Sequence, residues 1–326
     1  MLLWGEMRSE AWMKLPQSTS AEARLIAAVL RGKRTTTPAS VYSRGVWRSR
    51  HDAIDALLTE NSKYPSLLNS TAAKSCEVCV AGATHTLFVP PNFDPKNDKR
   101  LILHLHGGGY VQGSPQCEAP IATPIAAAVG CPVLAIRYPL WSEALPPADV
   151  DRVIAVFLEL IKDRESHSIA LMGTSAGGGL ALRTALGLAK LKVPMPASIV
   201  LAAPWADLSG GGDTFSTLMP LDVVEPTIIG NIRRLIGAST SLRSPELSPV
   251  YAVFPSNFPP TIVAAGTRDS LLSDCVRLQR KLTDVGVQND LRLFEGMPHG
   301  FMYFRTPETS AFVKDFASFI DSHIKK

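Results

Sequence analysis

The stretch "ALMGTSAGGG", Ala170–Gly179, passes from an apolar run into glycine, and Ser175 stands at the break between the two. Gly173 and Gly177 bracket this serine in the pattern G-x-S-x-G. One interpretation is a nucleophile on a sharp strand-to-helix turn, where the neighbours must be small and a helix N-terminus offers N–H groups to a developing negative charge. The alternative is a turn of small residues that lets a helix pack closely and carries no chemistry. The surrounding sequence has to decide between them.

Short apolar runs and segments with apolar residues at helical spacing alternate from about residue 100 onward. This alternation predicts a mostly parallel sheet covered by helices on both faces. A hairpin around Gly82 is expected before it. The expected strands of the alternating region are residues 100–107, 132–139, 168–173, 197–204, 261–266 and 289–296.

Two regions stand apart from the alternating pattern. Residues 1–70 have helical spacing, with candidate helices at Ser20–Gly32 and Ser49–Ser62. Residues 205–258 are too long for a connector, and they hold one candidate helix at about 223–236. We therefore expect an N-terminal helical cap segment (1–70), the first part of an α/β core (71–204), a cap insertion (205–258) and the second part of the core (259–326).

Composition narrows the class of protein. The chain has 326 residues, of which 46% are apolar and 19% charged, and its net charge of +4 comes without a dense basic cluster. These values predict a globular protein with no nucleic-acid partner. No apolar stretch reaches the length of about 18 residues that a membrane span needs, and the N-terminus lacks the pattern of a secretory signal. Five cysteines, an odd and low number, favour a reducing compartment, and we expect a cytoplasmic location.

One cysteine pair has a spacing seen in metal and redox sites. Cys76 and Cys79 form a C-x-x-C pattern, but no second pair and no histidine partner follows it. The same residues fit a strand, so we expect neither a metal nor a cofactor here.

A serine hydroxyl near its free pKa needs a base, and the base needs an acid to orient it. His299 lies in "GMPHGF" after the last expected strand, and Asp269 follows the strand 261–266 directly. Ligands of doubly wound sheets bind at the carboxyl ends of the strands, where all three residues are expected. The alternative for His299 is a loop histidine without a catalytic role. Asp274, five residues after Asp269, is expected to cap the next helix.

A glycine run supplies the fourth candidate element. "HGGG" at 106–109 ends an expected strand, and backbone N–H groups can approach an oxyanion only where no side chain intervenes. Gly107, Gly108 and Gly109 are the candidate donors, together with Ala176 of the serine turn. A phosphate cradle is disfavoured because no Lys-Ser/Thr pair follows the glycines. His106 is expected to order this loop through side-chain hydrogen bonds and to have no catalytic role.

Four motifs together resemble the hormone-sensitive-lipase family of α/β-hydrolases, in its branch of bacterial esterases. They are "HGGG" at 106–109, "GTSAGG" at 173–178, "DSLLSD" at 269–274 and "HGF" at 299–301. The resemblance covers about residues 75–326 and implies an α/β-hydrolase fold with a helical cap. It implies a catalytic triad of Ser175, Asp269 and His299. The oxyanion donors it implies are Ala176 and two of the three glycines, with Gly108 and Gly109 favoured.

The same resemblance implies an activity, the hydrolysis of carboxylic esters without a cofactor. We expect short-chain acyl esters as substrates, an acyl-enzyme intermediate, and a small-molecule ester as the partner. The sequence also allows a homodimer. The alternatives are a small-lactone or amide hydrolase with the same triad, and a non-catalytic small-molecule receptor on this fold, against which the presence of His299 argues. Thr174, where many members of the family carry Asp, departs from the pattern and leaves the substrate preference open.

Overall fold

The computed structural model describes residues 15, 18–32, 73–219, 222–224 and 227–325. Within them, one eight-stranded sheet carries helices on both faces. Its strands are β1 Lys74–Val80, β2 Ala83–Val89, β3 Leu101–Leu105, β4 Val133–Ile136, β5 Ile169–Thr174, β6 Ser198–Ala202, β7 Thr261–Gly266 and β8 Asn289–Phe294. The helices are α1 Ala21–Gly32, α2 Ala119–Val129, α3 Ala148–Leu160, α4 Ala176–Leu191, α5 Asp213–Thr217, α6 Ile228–Ile236, α7 Leu272–Asp284 and α8 Pro307–His323.

The sheet has the strand order β1-β2-β4-β3-β5-β6-β7-β8. The β1–β2 and β2–β4 pairs are antiparallel, and every pair from β4 to β8 is parallel. The predicted hairpin around Gly82 and the predicted mostly parallel sheet are both confirmed.

Both faces of the central strands are buried, which explains why the strands read as continuous apolar runs. In β3, Leu101, Leu103 and Leu105 join one hydrophobic core, whereas Ile102 joins the other. The first core is closed by α3, α4 and α7, and the second by α1, α2 and α8. The sheet is therefore the middle layer of three, as the alternating pattern predicts.

The parallel strands bring distant loops to one edge of the sheet. The glycine run at 107–109 follows β3, Ser175 follows β5, and the loops with Asp269 and His299 follow β7 and β8. Neighbouring parallel strands end at the same edge, so these four loops converge there.

The insertion at 205–258 differs from its prediction. Its main helix, α6, begins at Ile228 rather than near residue 223, and the short helix α5 precedes it. Asp274 does not cap α7, because its Oδ2 accepts hydrogen bonds from Ala206 N at 3.1 Å and Asp207 N at 2.8 Å. The expectation for Asp274 is thus wrong: the carboxylate ties the start of the insertion to the core.

The N-terminal region is described only in part. The candidate helix Ser20–Gly32 is present as α1, which packs Ala23 and Ile26 into the second core. The candidate helix Ser49–Ser62 lies outside the described residues, and the boundaries expected for the cap segments stay predictions. Among the described residues, no helix combines the length and the apolar character that crossing a bilayer requires.

Candidate active site

Ser175 sits on a strained turn between β5 and α4. Its φ is +55°, in the region that side chains rarely adopt, and its N–H donates to Ala202 O at 2.8 Å. A Cβ on Gly173 would lie 2.2 Å from Gly177 O, and a Cβ on Gly177 would lie 2.0 Å from Leu105 O. The turn therefore requires glycine at both positions. Since a chemically silent turn would need the same small residues, the partners of the serine hydroxyl decide its role.

His299 connects Ser175 to Asp269. Its Nε2 lies 2.8 Å from Ser175 Oγ, and its Nδ1 lies 3.1 Å from Asp269 Oδ1 and 3.2 Å from Oδ2. Asp269 is fully buried and also accepts a hydrogen bond from Leu271 N at 2.8 Å. The structure thus places His299 within hydrogen-bond distance of both Ser175 and Asp269, the other two sequence-predicted residues.

The electrostatics of His299 favour a proton acceptor. Burial lowers the pKa of the imidazole, but the charge and hydrogen bond of Asp269, and then the charge of Asp222, outweigh it, so the pKa lies above its ordinary value. A base with a raised pKa takes a proton from a hydroxyl more readily once it is neutral.

The glycine loop after β3 lies against the serine turn. A Cβ on Gly107 would be 3.4 Å from Ser175 Cβ, and Gly108 and Gly109 have φ values of +112° and +62°. Among the described residues, no atom accepts a hydrogen bond from the N–H of Gly108, Gly109 or Ala176. Gly107 differs, because its N–H donates to Glu118 Oε1 at 3.3 Å. This leaves Gly108, Gly109 and Ala176 as the candidates to bind an anion.

His106 orders this loop, as expected. Its Nδ1 donates to Gly107 O at 2.7 Å, and its ring stacks on Tyr138 with centroids 4.1 Å apart. Tyr138 also donates its hydroxyl to His106 O at 2.7 Å. Burial lowers the pKa of His106 to about 4, so this imidazole is neutral at physiological pH.

A buried polar cluster beneath the glycine loop was not found by sequence reasoning. Glu118 Oε1 accepts the Tyr303 hydroxyl at 2.8 Å in addition to Gly107 N. His104 Nε2 lies 3.2 Å from Glu118 Oε2 and 3.1 Å from Thr174 Oγ1. Thr174, the residue that departs from the family pattern, therefore lies within hydrogen-bond distance of a histidine on the neighbouring strand β3.

A second carboxylate at the catalytic edge was also missed. Asp222 of the insertion is buried, and its Oδ1 accepts a hydrogen bond from the backbone N–H of His299 at 2.8 Å. The sequence around Asp222 carries no local signal of such a contact, because its partner is 77 residues away along the chain.

Another buried histidine, His85, and the C-x-x-C cysteines lie on the antiparallel strands β1 and β2. His85 is buried and bonds through its ring nitrogens to Val80 O and Arg137 N. Cys76 and Cys79 are exposed free thiols on β1. Within the described ranges, no three or more His, Cys, Asp or Glu side chains are grouped so as to hold a metal ion.

Comparison with known proteins places this arrangement in a family. A family model for the alpha/beta hydrolase fold matches residues 102–303. An acetyl-hydrolase of Streptomyces hygroscopicus is 27% identical over 244 residues, which cover 74% of this chain and 80% of that protein. An ethyl acetate hydrolase of Pseudomonas putida is 28% identical over 66% of this chain and 70% of its own length.

Solved structures agree with the sequence relatives. The crystal structure of an esterase from the bacterial hormone-sensitive lipase family superimposes with a TM-score of 0.79 at 27% identity, and the match covers 94% of this chain and all of that one. The family match spans more than half of the chain and includes the glycine loop, the serine turn and the loops after β7 and β8. The protein therefore belongs to the α/β-hydrolase fold family, in the branch of the hormone-sensitive-lipase-like enzymes.

Proposed function

We propose that the protein is a serine carboxylesterase that hydrolyses short-chain acyl esters through an acyl-enzyme intermediate. Family membership and the esterases among its relatives support the enzyme class. The single observation that carries the serine mechanism is the position of His299, with one ring nitrogen on Ser175 Oγ and the other on Asp269.

In the proposed reaction, His299 Nε2 accepts the hydroxyl proton of Ser175 while Oγ attacks the ester carbonyl carbon. Asp269 holds the imidazole in the tautomer that has its proton on Nδ1 and stabilises the imidazolium that forms. The tetrahedral intermediate collapses as His299 returns the proton to the leaving alcohol. Water then attacks the acyl-enzyme by the same steps in reverse order, which releases the acid and restores the hydroxyl.

Three backbone N–H groups are proposed to stabilise the oxyanion. Gly108, Gly109 and Ala176 donate no hydrogen bond to described residues, and the first turn of α4 adds its positive end behind Ala176. Such donors act on charge that appears only in the transition state, and removal of one typically costs about 10²–10³ in kcat.

The preference for short acyl groups rests on the crowding beside the glycine loop. A Cβ on Gly109 would lie 2.7 Å from Ile228 Cδ1 and 3.8 Å from Trp205 Cζ3. Both side chains are buried, with Ile228 coming from α6 and Trp205 from the start of the insertion. The named activities of the relatives, an acetyl-hydrolase and an ethyl acetate hydrolase, agree with a small acyl group.

The test is the Ser175→Ala variant with p-nitrophenyl acetate as substrate. We expect kcat to fall by about 10⁶-fold while the circular dichroism spectrum stays that of the wild type. A phosphonate ester probe should add its mass to the peptide with Ser175 in the wild type only. Ser322→Ala, at an exposed serine of α8, is the matched control and should keep full activity. Turnover retained by Ser175→Ala would remove the serine from the mechanism.

A substrate panel separates the alternatives that share the triad. Acyl esters of two to ten carbons, a small lactone and an anilide, each at the same concentration, would rank ester, lactone and amide hydrolysis by kcat/KM. A highest value for the lactone or the anilide would replace the proposed substrate class without changing the proposed machinery.

A further inference from the structure

Asp222 joins the two loops that carry the acid and the base of the proposed triad. Its Oδ1 accepts hydrogen bonds from the N–H of His299 at 2.8 Å and of Val223 at 2.7 Å, and its Oδ2 accepts the N–H of Ser270 at 2.7 Å. Ser270 directly follows Asp269, so one carboxylate binds the backbone of the histidine itself and that of the residue beside the acid.

These contacts cannot be replaced by solvent. Asp222 is 8% exposed, and Asp269 and Ser270 are fully buried. A buried N–H that loses its acceptor costs about 1–3 kcal/mol, so loss of the carboxylate would drive the Ser270 and His299 backbones to move toward other acceptors. A shift of the His299 backbone changes the distance from its imidazole to Ser175 Oγ.

The same carboxylate acts on the charge of the imidazole. Among the described residues, the charges of Asp269 and His299 act on Asp222. Burial, and next the charge of Asp269, raise the pKa of Asp222, whereas His299 lowers it. In return, the Asp222 anion is one of the groups that raise the pKa of His299. The titrations of Asp222 and His299 are therefore linked rather than independent.

Asp222 comes from a different part of the chain than the two loops that it binds. Asp269 and His299 follow neighbouring core strands, whereas Asp222 belongs to the insertion at 205–258. A side chain of the insertion thus binds the backbone of His299 and of Ser270, the residue after the acid of the proposed triad.

Given the proposed function, with His299 as the base, we propose that Asp222 is a positioning residue that aligns the loops carrying the acid and the base. Turnover then depends on the position of the insertion relative to these loops. It does not touch the reacting atoms and acts through the backbone of His299 and Ser270. A misplacement of about 1 Å at a reacting group can cost on the order of 10²-fold in rate, so the effect of losing this residue is measurable.

The test uses Asp222→Asn in the full-length chain, with p-nitrophenyl acetate. The asparagine amide keeps one oxygen that can accept a hydrogen bond and removes the negative charge. Its NH₂ group takes the place of the second oxygen and cannot accept a hydrogen bond from the backbone N–H there. We expect kcat to fall by about 10- to 100-fold with little change in KM. We also expect the acid limb of kcat/KM to move to lower pH, because an anion that raises the pKa of His299 is gone. If Asp222 only stabilised the fold, its replacement would change neither the pH profile nor the ratio of kcat to KM.

Two further variants keep the test decisive. Asp222→Glu keeps the charge but adds one methylene, so kcat should fall while the acid limb stays near that of the wild type. Asp207→Asn is the matched control, since Asp207 is a fully buried carboxylate of the same insertion that bonds Ser209, Tyr251 and Arg277 instead of the triad loops. It should lower the unfolding midpoint and leave the pH profile in place.

The outcomes separate this inference from the function on which it rests. Turnover retained by Ser175→Ala would defeat the proposed function whatever Asp222 does. An inactive Ser175→Ala together with a wild-type kcat in whichever Asp222 variant folds would overturn the positioning role alone.

Discussion

The buried histidines among the described residues differ in their electrostatic environments. Burial lowers the pKa of His104 to about 3 and raises that of Glu118 to about 7, although the two side chains lie 3.2 Å apart. Their contact is therefore one with a neutral imidazole rather than a strong ion pair. His299 is the exception, because Asp269 and Asp222 compensate its burial with negative charge. His299 thus has the electrostatic environment of a proton acceptor, whereas burial favours the neutral form of His104.

The pH dependence of the reaction should report this difference. The base must be neutral to accept a proton, and a raised pKa keeps it protonated to higher pH, so we expect kcat/KM to rise through an apparent pKa above the ordinary 6.5 of histidine. The measurement is kcat/KM for p-nitrophenyl acetate from pH 5 to 9, corrected for spontaneous hydrolysis. His323→Gln, at the end of α8, should give the same profile. A flat profile, or an acid limb well below 6.5, would contradict the role of His299.

Some residues of the candidate site can be predicted from the sequence and others cannot, for a physical reason. Ser175, Asp269 and His299 each follow an expected strand, and a glycine or proline within three residues of each marks a turn, so local pattern is enough to select them. Glu118 and Asp222, by contrast, contact Tyr303 and His299, which lie 185 and 77 positions away along the chain. Nothing in their own neighbourhood distinguishes them from an ordinary acidic residue.

At the scale of elements, the core was predictable and the insertion was not. Strand β7 has the bounds that the sequence predicts, since its apolar run is closed by proline and glycine. The insertion lacks such a pattern because tertiary contacts shape it. Asp274 illustrates the difference: its type and position suit a helix cap, but two backbone N–H groups of the insertion compete successfully for its carboxylate.

The helix α6 should control the length of the acyl group. Ile228→Ala removes the side chain that lies against Gly109, so the ratio of kcat/KM for p-nitrophenyl octanoate to that for the acetate should rise about 10-fold. Ile229→Ala is the matched control on the same helix, because Ile229 packs against Gly210 instead of the glycine loop. An unchanged ratio in Ile228→Ala, or an equal change in both variants, would show that this contact does not limit the substrate.

In the molecule as a whole, the parallel sheet brings together residues that are far apart along the chain. Ser175 and His299 are 124 positions apart in the chain, yet strands β5 to β8 are consecutive neighbours that end at one edge. The alternating pattern of the sequence predicts this convergence without predicting any contact.

A buried ion pair joins α4 to α3, and its arginine also binds the insertion. Arg183 of α4 donates from Nη1 to Asp149 Oδ2 of α3 at 2.7 Å and from Nε to Glu246 O of the insertion at 2.6 Å. Trp141 Nε1 also donates to Asp149 Oδ2, at 2.9 Å. Asp149 is 0% and Arg183 5% exposed, so neither charge can be solvated if the other is removed.

Removal of the carboxylate should therefore destabilise the entire fold. In Asp149→Ala the Arg183 cation stays buried without its partner, and we expect the free energy of unfolding to fall by about 3–5 kcal/mol with an unchanged m-value in urea. The control is Asp290→Ala, which breaks an ion pair with Arg292 whose side chains are 39% and 50% exposed. That loss should stay below about 1 kcal/mol, because solvent screens such a pair. Equal losses of unfolding free energy in the two variants would contradict a special contribution of the buried Asp149–Arg183 pair. Packing alone would then hold α3, α4 and the insertion together.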